Sequence, residues 1–136
     1  MANDISFYYK TNELIEIDEN MLAKANKFLK TGKVDLDDPD LHIKMMEFAG
    51  DNKFAWDGFE KAKIYHTNGT IEIETKDYRG AFEDNKLMAF LLSLVIKKGS
   101  ISLLFHIGFD NWGYNIYPNK VEELVFKPIT TNITKF

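Results

Sequence analysis

Three features of the sequence predict an α+β fold: an antiparallel sheet of hairpins and a C-terminal meander, packed on a central apolar helix with two shorter helices. An Asn-Gly pair, Asn68-Gly69, stands between two alternating runs. Nine of the ten residues from Leu87 to Ile96 are apolar. From Ile101 to Phe126 apolar and polar residues alternate around turn residues. Period two marks strands half-buried in a sheet, whereas an unbroken apolar run of helical length marks a helix covered on nearly all sides. With 136 residues, a chain of this size can bury roughly 68–70% of the surface it exposes when unfolded, which is enough for one domain over residues 1–136.

Taken in order, Ile5 to Lys10 and Leu14 to Ile17 are rich in β-branched and aromatic residues around the polar break Thr11-Asn12-Glu13. They read as a hairpin or a bent strand. The period then lengthens. Met21, Leu22, Ala25, Phe28 and Leu29 form one helical stripe, with Asp18 or Asn20 as the N-cap and Gly32 as the stop. A second short helix is expected over Leu41, Met45, Phe48 and Ala49. Asp38 caps it, Pro39 takes the first helical position and Gly50 closes it.

The run KAKIYHTNGTIEIETK specifies a two-residue type I′ hairpin, because both turn positions need positive φ. That register sets Thr67 opposite Thr70, Ile64 opposite Ile73 and Lys63 opposite Glu74. It gathers Ala62, Ile64, Ile71 and Ile73 on one face, with His66 at its rim, and points Glu72 and Glu74 outward.

The central helix is expected to follow Glu83 and Asp84, with Lys97, Lys98 and Gly99 as its cationic last turn and stop. In the meander Ile101, Leu103 and Phe105 share a face with Trp112, Tyr114 and Ile116 if Asp110-Asn111 is the turn. That register sets His106 opposite Asn115. A three-residue loop at Pro118-Asn119-Lys120 sets Ile116 against Leu124 and Tyr114 against Phe126. The tail from about residue 129 reads as an added strand or a flexible end.

The segment from Leu87 to Phe126 carries Lys98-Gly99-Ser100, Leu103, Phe105, Gly108, Asp110, Trp112, Tyr114, Lys120, Val121 and Glu123. In this it resembles the C-terminal part of short, acidic, uncharacterised bacterial and prophage proteins. In those, an apolar helix ends in a glycine turn and is followed by I-x-F-x-G, W-x-Y and K-V-x-E strands. The resemblance implies a setting of mobile elements and of conflict between phage and host, and supplies no catalytic residue.

Composition narrows the function further. Without cysteine there is no disulfide, thiolate nucleophile or thiolate zinc site. The net charge of −4 and a single arginine, Arg79, disfavour direct binding to nucleic acid. The start, MANDISFYYK, lacks the basic and apolar regions of a signal peptide. The run from Leu87 to Ile96 is about half the ~20 residues that a membrane span needs, so a soluble, cytoplasmic protein is expected.

No G-x-S-x-G elbow, phosphate-cradling glycine loop or H-x-x-x-H pair occurs among the residues. The acids Asp35, Asp37, Asp38 and Asp40 suggest calcium ligands, but an EF-hand counted from Asp35 puts Pro39 at a ligand position, Asp40 where glycine belongs and Met46 where glutamate belongs. The acids read as a helix cap and a solvated surface, and neither a metal nor a cofactor is expected.

The chain holds 11 Phe, 6 Tyr and 2 Trp, more rings than one helix needs, with Trp56 and Tyr117 near turns. Such residues anchor interfaces because they bury large area at low entropy cost. The expected function is a non-enzymatic binding protein that occludes a basic surface on a protein partner. Asp35, Asp37, Asp38, Asp40, Trp56 and Tyr117 are its expected partner-binding residues. Its expected mode is that of phage-encoded inhibitors of host defence, anti-CRISPR proteins included, or of toxin-immunity proteins. The alternative is a small-ligand binder or enzyme using His106, Asn115 and Tyr117 on the second face of the meander, with Gly108 and Gly113 leaving space; a helix packed over that face explains the same glycines. A homo-oligomer joined through strand edges or the tail is a third reading.

Overall fold

The computed structural model describes residues 6–31, 40–41, 43–44, 62–74, 82–107 and 110–126. Its elements are β1 (Ser6–Ile17), α1 (Glu19–Thr31), β2 (Lys63–Thr67), β3 (Thr70–Glu74), α2 (Phe82–Val95), β4 (Ile96–Ile107), β5 (Asp110–Tyr117) and β6 (Lys120–Phe126). A four-stranded antiparallel sheet has the order β1-β4-β5-β6, and β2 and β3 form a separate two-stranded sheet. This is the α+β arrangement that the sequence predicts. Asp40, Leu41, Ile43 and Lys44 are helical, where the second helix is expected; the rest of that segment, Asp35, Asp37, Asp38, Trp56 and the tail lie outside the described residues.

Helix α2 is the centre of the core. Leu87, Met88, Ala89, Leu91, Leu92 and Val95 are all buried, as is Ser93, whose hydroxyl donates to the Phe90 carbonyl across 2.6 Å. A hydroxyl that satisfies itself within its own helix can be buried at little cost. The strands present Ile101, Leu103, Phe105, Trp112, Tyr114 and Ile116 to this helix, the face that the alternation predicts. Phe105 stacks on Trp112 at 5.6 Å and meets Tyr114 edge-on at 6.1 Å, so these three rings of the meander lie inside. Helix α1 buries Ala25, Phe28 and Leu29. Its N-cap is Asp18, whose carboxylate accepts from the Met21 N–H at 3.0 Å.

The β2–β3 hairpin has the predicted register, with Asn68 and Gly69 at φ of 51° and 79°. In a two-residue hairpin alternate pairs turn their backbone groups away from the partner strand. Ile64 is in such a pair with Ile73, and the side-chain amide of Asn26 on α1 takes both groups. Asn26 Nδ2 donates to the Ile64 carbonyl at 2.9 Å, and its Oδ1 accepts from the Ile64 N–H at 2.8 Å. One amide thus closes the outer edge of β2.

Three expectations are corrected. First, α2 ends at Val95 and β4 begins at Ile96, so Lys97, Lys98 and Gly99 belong to a strand and not to a helix terminus. Gly99 has a φ of 96° and faces a bulge in β1, where Leu14 and Ile15 together lie opposite it. A Cβ on Gly99 would run into the Leu14 carbonyl oxygen, which is why glycine stands there. The bent-strand reading of β1 is the one observed, with register shifts after Thr11, Glu13 and Glu16.

Second, Ile107 pairs with Asp110, so Asp110-Asn111 opens β5 and is not the turn. Third, Tyr117 pairs with Lys120 across a two-residue turn, which sets Ile116 against Val121 and Tyr114 against Glu123. Pro118 presets the first turn position and Asn119 adopts a φ of 56° at the second, the residue preferences of a type II turn. The Asn119 N–H also donates to the Ser93 carbonyl at 2.9 Å, fastening the turn to α2. Among the described residues, no helix packs over the second face of the meander.

Candidate functional site

The pleat sends every second residue of β1, β4, β5 and β6 to the face away from α2. There the cross-strand register builds parallel rows. In one row Tyr8, Leu104, Gly113 and Leu124 stand side by side; in the next are Lys10, Ser102, Asn115 and Glu122; on the far side His106 faces Asn111. Tyr8 is 62% exposed, an unusual position for a large ring on a sheet. A recess of about 420 Å³ opens among Tyr8, Leu104, His106 and Asn111, with Phe105 and Trp112 contributing to its lining.

The polar row is a continuous ladder across all four strands. Asn12 Nδ2 donates to Ser102 Oγ at 2.7 Å, Ser102 Oγ donates to Asn115 Oδ1 at 2.6 Å, and Asn115 Nδ2 donates to Glu122 Oε1 at 3.1 Å. Asn12 reaches Ser102 because it is the extra residue of a bulge between Thr11 and Glu13, which re-aims its side chain. Each member orients the next, so the row is held in one set of rotamers.

The shifted β4–β5 register separates the expected ligand residues. His106 lies opposite Asn111, whose Oδ1 is 2.8 Å from its Nδ1, whereas Asn115 belongs to the ladder two positions along the strand. Since an amide oxygen only accepts, His106 donates from Nδ1. Tyr117 sits at the far end of the face with the Lys120 ammonium 5.2 Å from its ring centre. The three residues therefore share one face without converging on one point. Gly113 leaves room for Leu104 rather than for a ligand, since a Cβ there would meet the Leu103 carbonyl and the Leu104 side chain. Asp40, one of the expected partner-binding acids, is exposed. Sequence reasoning missed Tyr8, Leu104 and Asn111 as a group, because only the register joins them.

His66 Nε2 lies 2.7 Å from the Ile15 carbonyl, a structural contact outside this face. Among the described residues no group of three or more His, Asp or Glu could hold a metal ion. No described helix is long and apolar enough to cross a membrane. No protein-family model matches the chain, and neither a curated protein nor a solved structure matches it. Its functional reading therefore rests on its own residues.

Proposed function

We propose that the protein is a non-enzymatic binding protein. Its outer sheet face docks on a protein partner and inhibits it by covering a basic surface, as phage-encoded anti-defence proteins do, anti-CRISPR proteins among them. The recess beside the exposed Tyr8 ring carries this reading. An aromatic rim around a cavity that admits one side chain has the form of an interface hot spot. The adjoining ladder supports it, since groups already paired and fixed lose little freedom on binding. Glu13 and Glu16 on β1 and Glu122 on β6 are exposed along the edge strands, and a net charge of −4 favours encounter with a basic partner. Lys10 and Lys120 lie among these acids, so complementarity is one of pattern rather than of a single sign.

Affinity capture from host lysate tests the reading. The wild-type protein should retain one stoichiometric partner, and Tyr8→Ser with His106→Ala should release it while the fold persists. A second variant replaces Asp35, Asp37, Asp38 and Asp40 by asparagine and Trp56 and Tyr117 by alanine. Retention by both variants, or no partner at all, overturns the proposal.

The same recess favours a second reading, a small-ligand site. Its volume of about 420 Å³ falls within the range of such sites, and His106 with Asn111 supplies convergent polar atoms. A ligand at about 100 times its Kd adds about 2.7 kcal/mol to stability, so a metabolite thermal-shift screen would reveal it.

A further inference from the structure

The two edge strands of the four-stranded sheet carry charges in opposite order on its outer face. Lys10 on β1 and Glu122 on β6 end the row that runs through Ser102 and Asn115. Glu13 pairs with Ser100, and Tyr117 pairs with Lys120. The β4–β5 register, continued one step past Ile101 and Ile116, makes these four a second row, with Glu13 and Lys120 at its ends. One row is therefore positive at β1 and negative at β6, and the other is the reverse. All four end residues are exposed. Three strand spacings, about 14 Å, separate the ends of a row, too far for them to pair within one chain.

A charge pattern that changes sign from one edge to the other matches itself when turned about a two-fold axis. We propose that the outer face binds a second copy of this chain, about an axis parallel to the strands and midway between β4 and β5. Sheets stacked face to face lie about 10 Å apart with their strands nearly aligned. Lys10 then stands over Glu122 of the second copy and Glu13 over Lys120 of the second copy, and the symmetry repeats both pairs. Charges at the rim of such an interface fix its register.

The rows between these edges suit the same axis. Tyr8, now 62% exposed, is covered by Leu124 of the second copy. Ser102 and Asn115 already satisfy each other within the ladder, so burying them leaves no polar group stranded. His106 donates to Asn111 from Nδ1, which leaves an acceptor on its Nε2 and donors on Asn111 Nδ2. The axis sets this pair against its own copy, donor to acceptor. Joining β6 to β1 of another copy in one continuous sheet would match the same charges, but it leaves Tyr8 uncovered. Part of the β1 edge is also engaged, since the Ile15 N–H donates to the Gly69 carbonyl at 2.8 Å. Edge addition is open-ended, whereas the two-fold closes at two copies.

The consequence for regulation rests on the docking reading of this face: a second copy and a partner compete for it. Four strands make a small face, so the dimer forms reversibly and a partner can displace it.

Sedimentation velocity of the full chain over a range of concentrations tests the inference. The mass should rise from one chain to two and stop there. Lys10→Glu and Glu122→Lys each set like charges against each other twice, and each variant should self-associate about tenfold more weakly or worse. Mixed in equal amounts, the two variants should form a mixed dimer, because the like charges of one meet the opposite charges of the other. Both positions are exposed, and the unmodified protein's mass is a test whether or not a variant folds. A single chain at every concentration, growth beyond two copies, reversals without effect, or a mixture no better than either variant alone would overturn the inference. A protein that captures a partner yet never dimerises overturns this inference and leaves the docking reading standing. A dimer with these charge dependences that captures no partner supports this inference and overturns the docking reading alone.

Discussion

His66 donates its Nε2 proton to the carbonyl of Ile15 across 2.7 Å, and the Ile15 N–H donates to the carbonyl of Gly69 at 2.8 Å. A carbonyl only accepts, so the proton on Nε2 is fixed by the contact. Both backbone groups of one β1 residue therefore serve the β2–β3 hairpin. They are free to do so because the bulge opposite Gly99 turns Ile15 away from β4. Replacing His66 by alanine removes the donor and leaves the Ile15 carbonyl without it. The expected cost is about 1–2 kcal/mol, read as a lower urea midpoint with an unchanged slope.

Asn26 performs the corresponding service for Ile64. Its amide matches the donor and acceptor of a peptide group, so the two bonds at 2.8 and 2.9 Å close the edge of β2 as a further strand would. Asn26→Ala strands two backbone groups and should cost about 2–4 kcal/mol by chemical denaturation. Asn26→Asp keeps the acceptor for the Ile64 N–H but sets a carboxylate against the Ile64 carbonyl, and should also destabilise. Hydrogen exchange at the Ile64 amide discriminates them, since it should accelerate more in the alanine variant than in the aspartate one.

Tyr114 gives the fold an alkaline limit. Its folded-state pKa is raised from the ordinary tyrosine value of 10.0 to about 12, by burial first and by Glu123 second. Between those values the unfolded chain releases a proton that the folded chain keeps bound, so stability falls as pH rises through that window. The full difference is about 2–3 kcal/mol, at one pKa unit per 1.36 kcal/mol. Tyr114→Phe should match the parent to within about 1 kcal/mol at neutral pH, because little but the hydroxyl changes. Its denaturation midpoint should then decline less steeply than the parent's above pH ~10. Parallel slopes for the two proteins across that window would refute the assignment.

The ladder across the outer face makes a separate prediction. Ser102 is its centre, accepting from Asn12 and donating to Asn115. Ser102→Ala should cost about 0.5–1.5 kcal/mol. A double-mutant cycle between Asn12 and Asn115 should show coupling in the parent and none on the Ser102→Ala background, since the two side chains meet through that hydroxyl. Loss of partner capture in Ser102→Ala with little loss of stability would tie the ladder to docking.

Local chemistry was legible in the sequence wherever a residue type has one use. Asn68-Gly69 demands positive φ twice in succession, and only one hairpin turn meets that demand. The run in α2 has too little polar surface to lie anywhere but inside. Register was less legible. Pro118-Asn119 makes a tighter turn than the three-residue loop expected, because Asn119 takes the left-handed conformation that glycine more often supplies. A register error of a few residues in a hairpin leaves the faces intact when it is even in the pairing sum, so the alternation predicts Trp112 and Tyr114 inside correctly while the partner it predicts for His106 is wrong. The contacts of His66 with Ile15 and Asn26 with Ile64 span 51 and 38 residues, beyond any local pattern. A polar Asn26 between Leu22 and Leu29 on the stripe of α1 was the one available hint that a buried partner was needed.

Gly99 shows how one residue type supports two readings, and it gives the sharpest test of the fold. After an apolar run and two lysines a glycine has the composition of a helix stop, since both a C-terminal cap and a bulge use positive φ. The structure assigns it to the bulge, at a φ of 96° and against the backbone of Leu14 and Ile15. As a helix stop, Gly99→Ala would cost only about 1 kcal/mol. In the bulge, the added Cβ meets a carbonyl oxygen that belongs to a paired strand and cannot swing aside as a side chain would. The expected cost is then about 3 kcal/mol or more, combining conformational strain with displaced backbone. Because Ile15 also holds the hairpin, the amide signals of His66 and Gly69 should shift with it. A mild loss of stability with those signals unmoved would return Gly99 to the helix terminus.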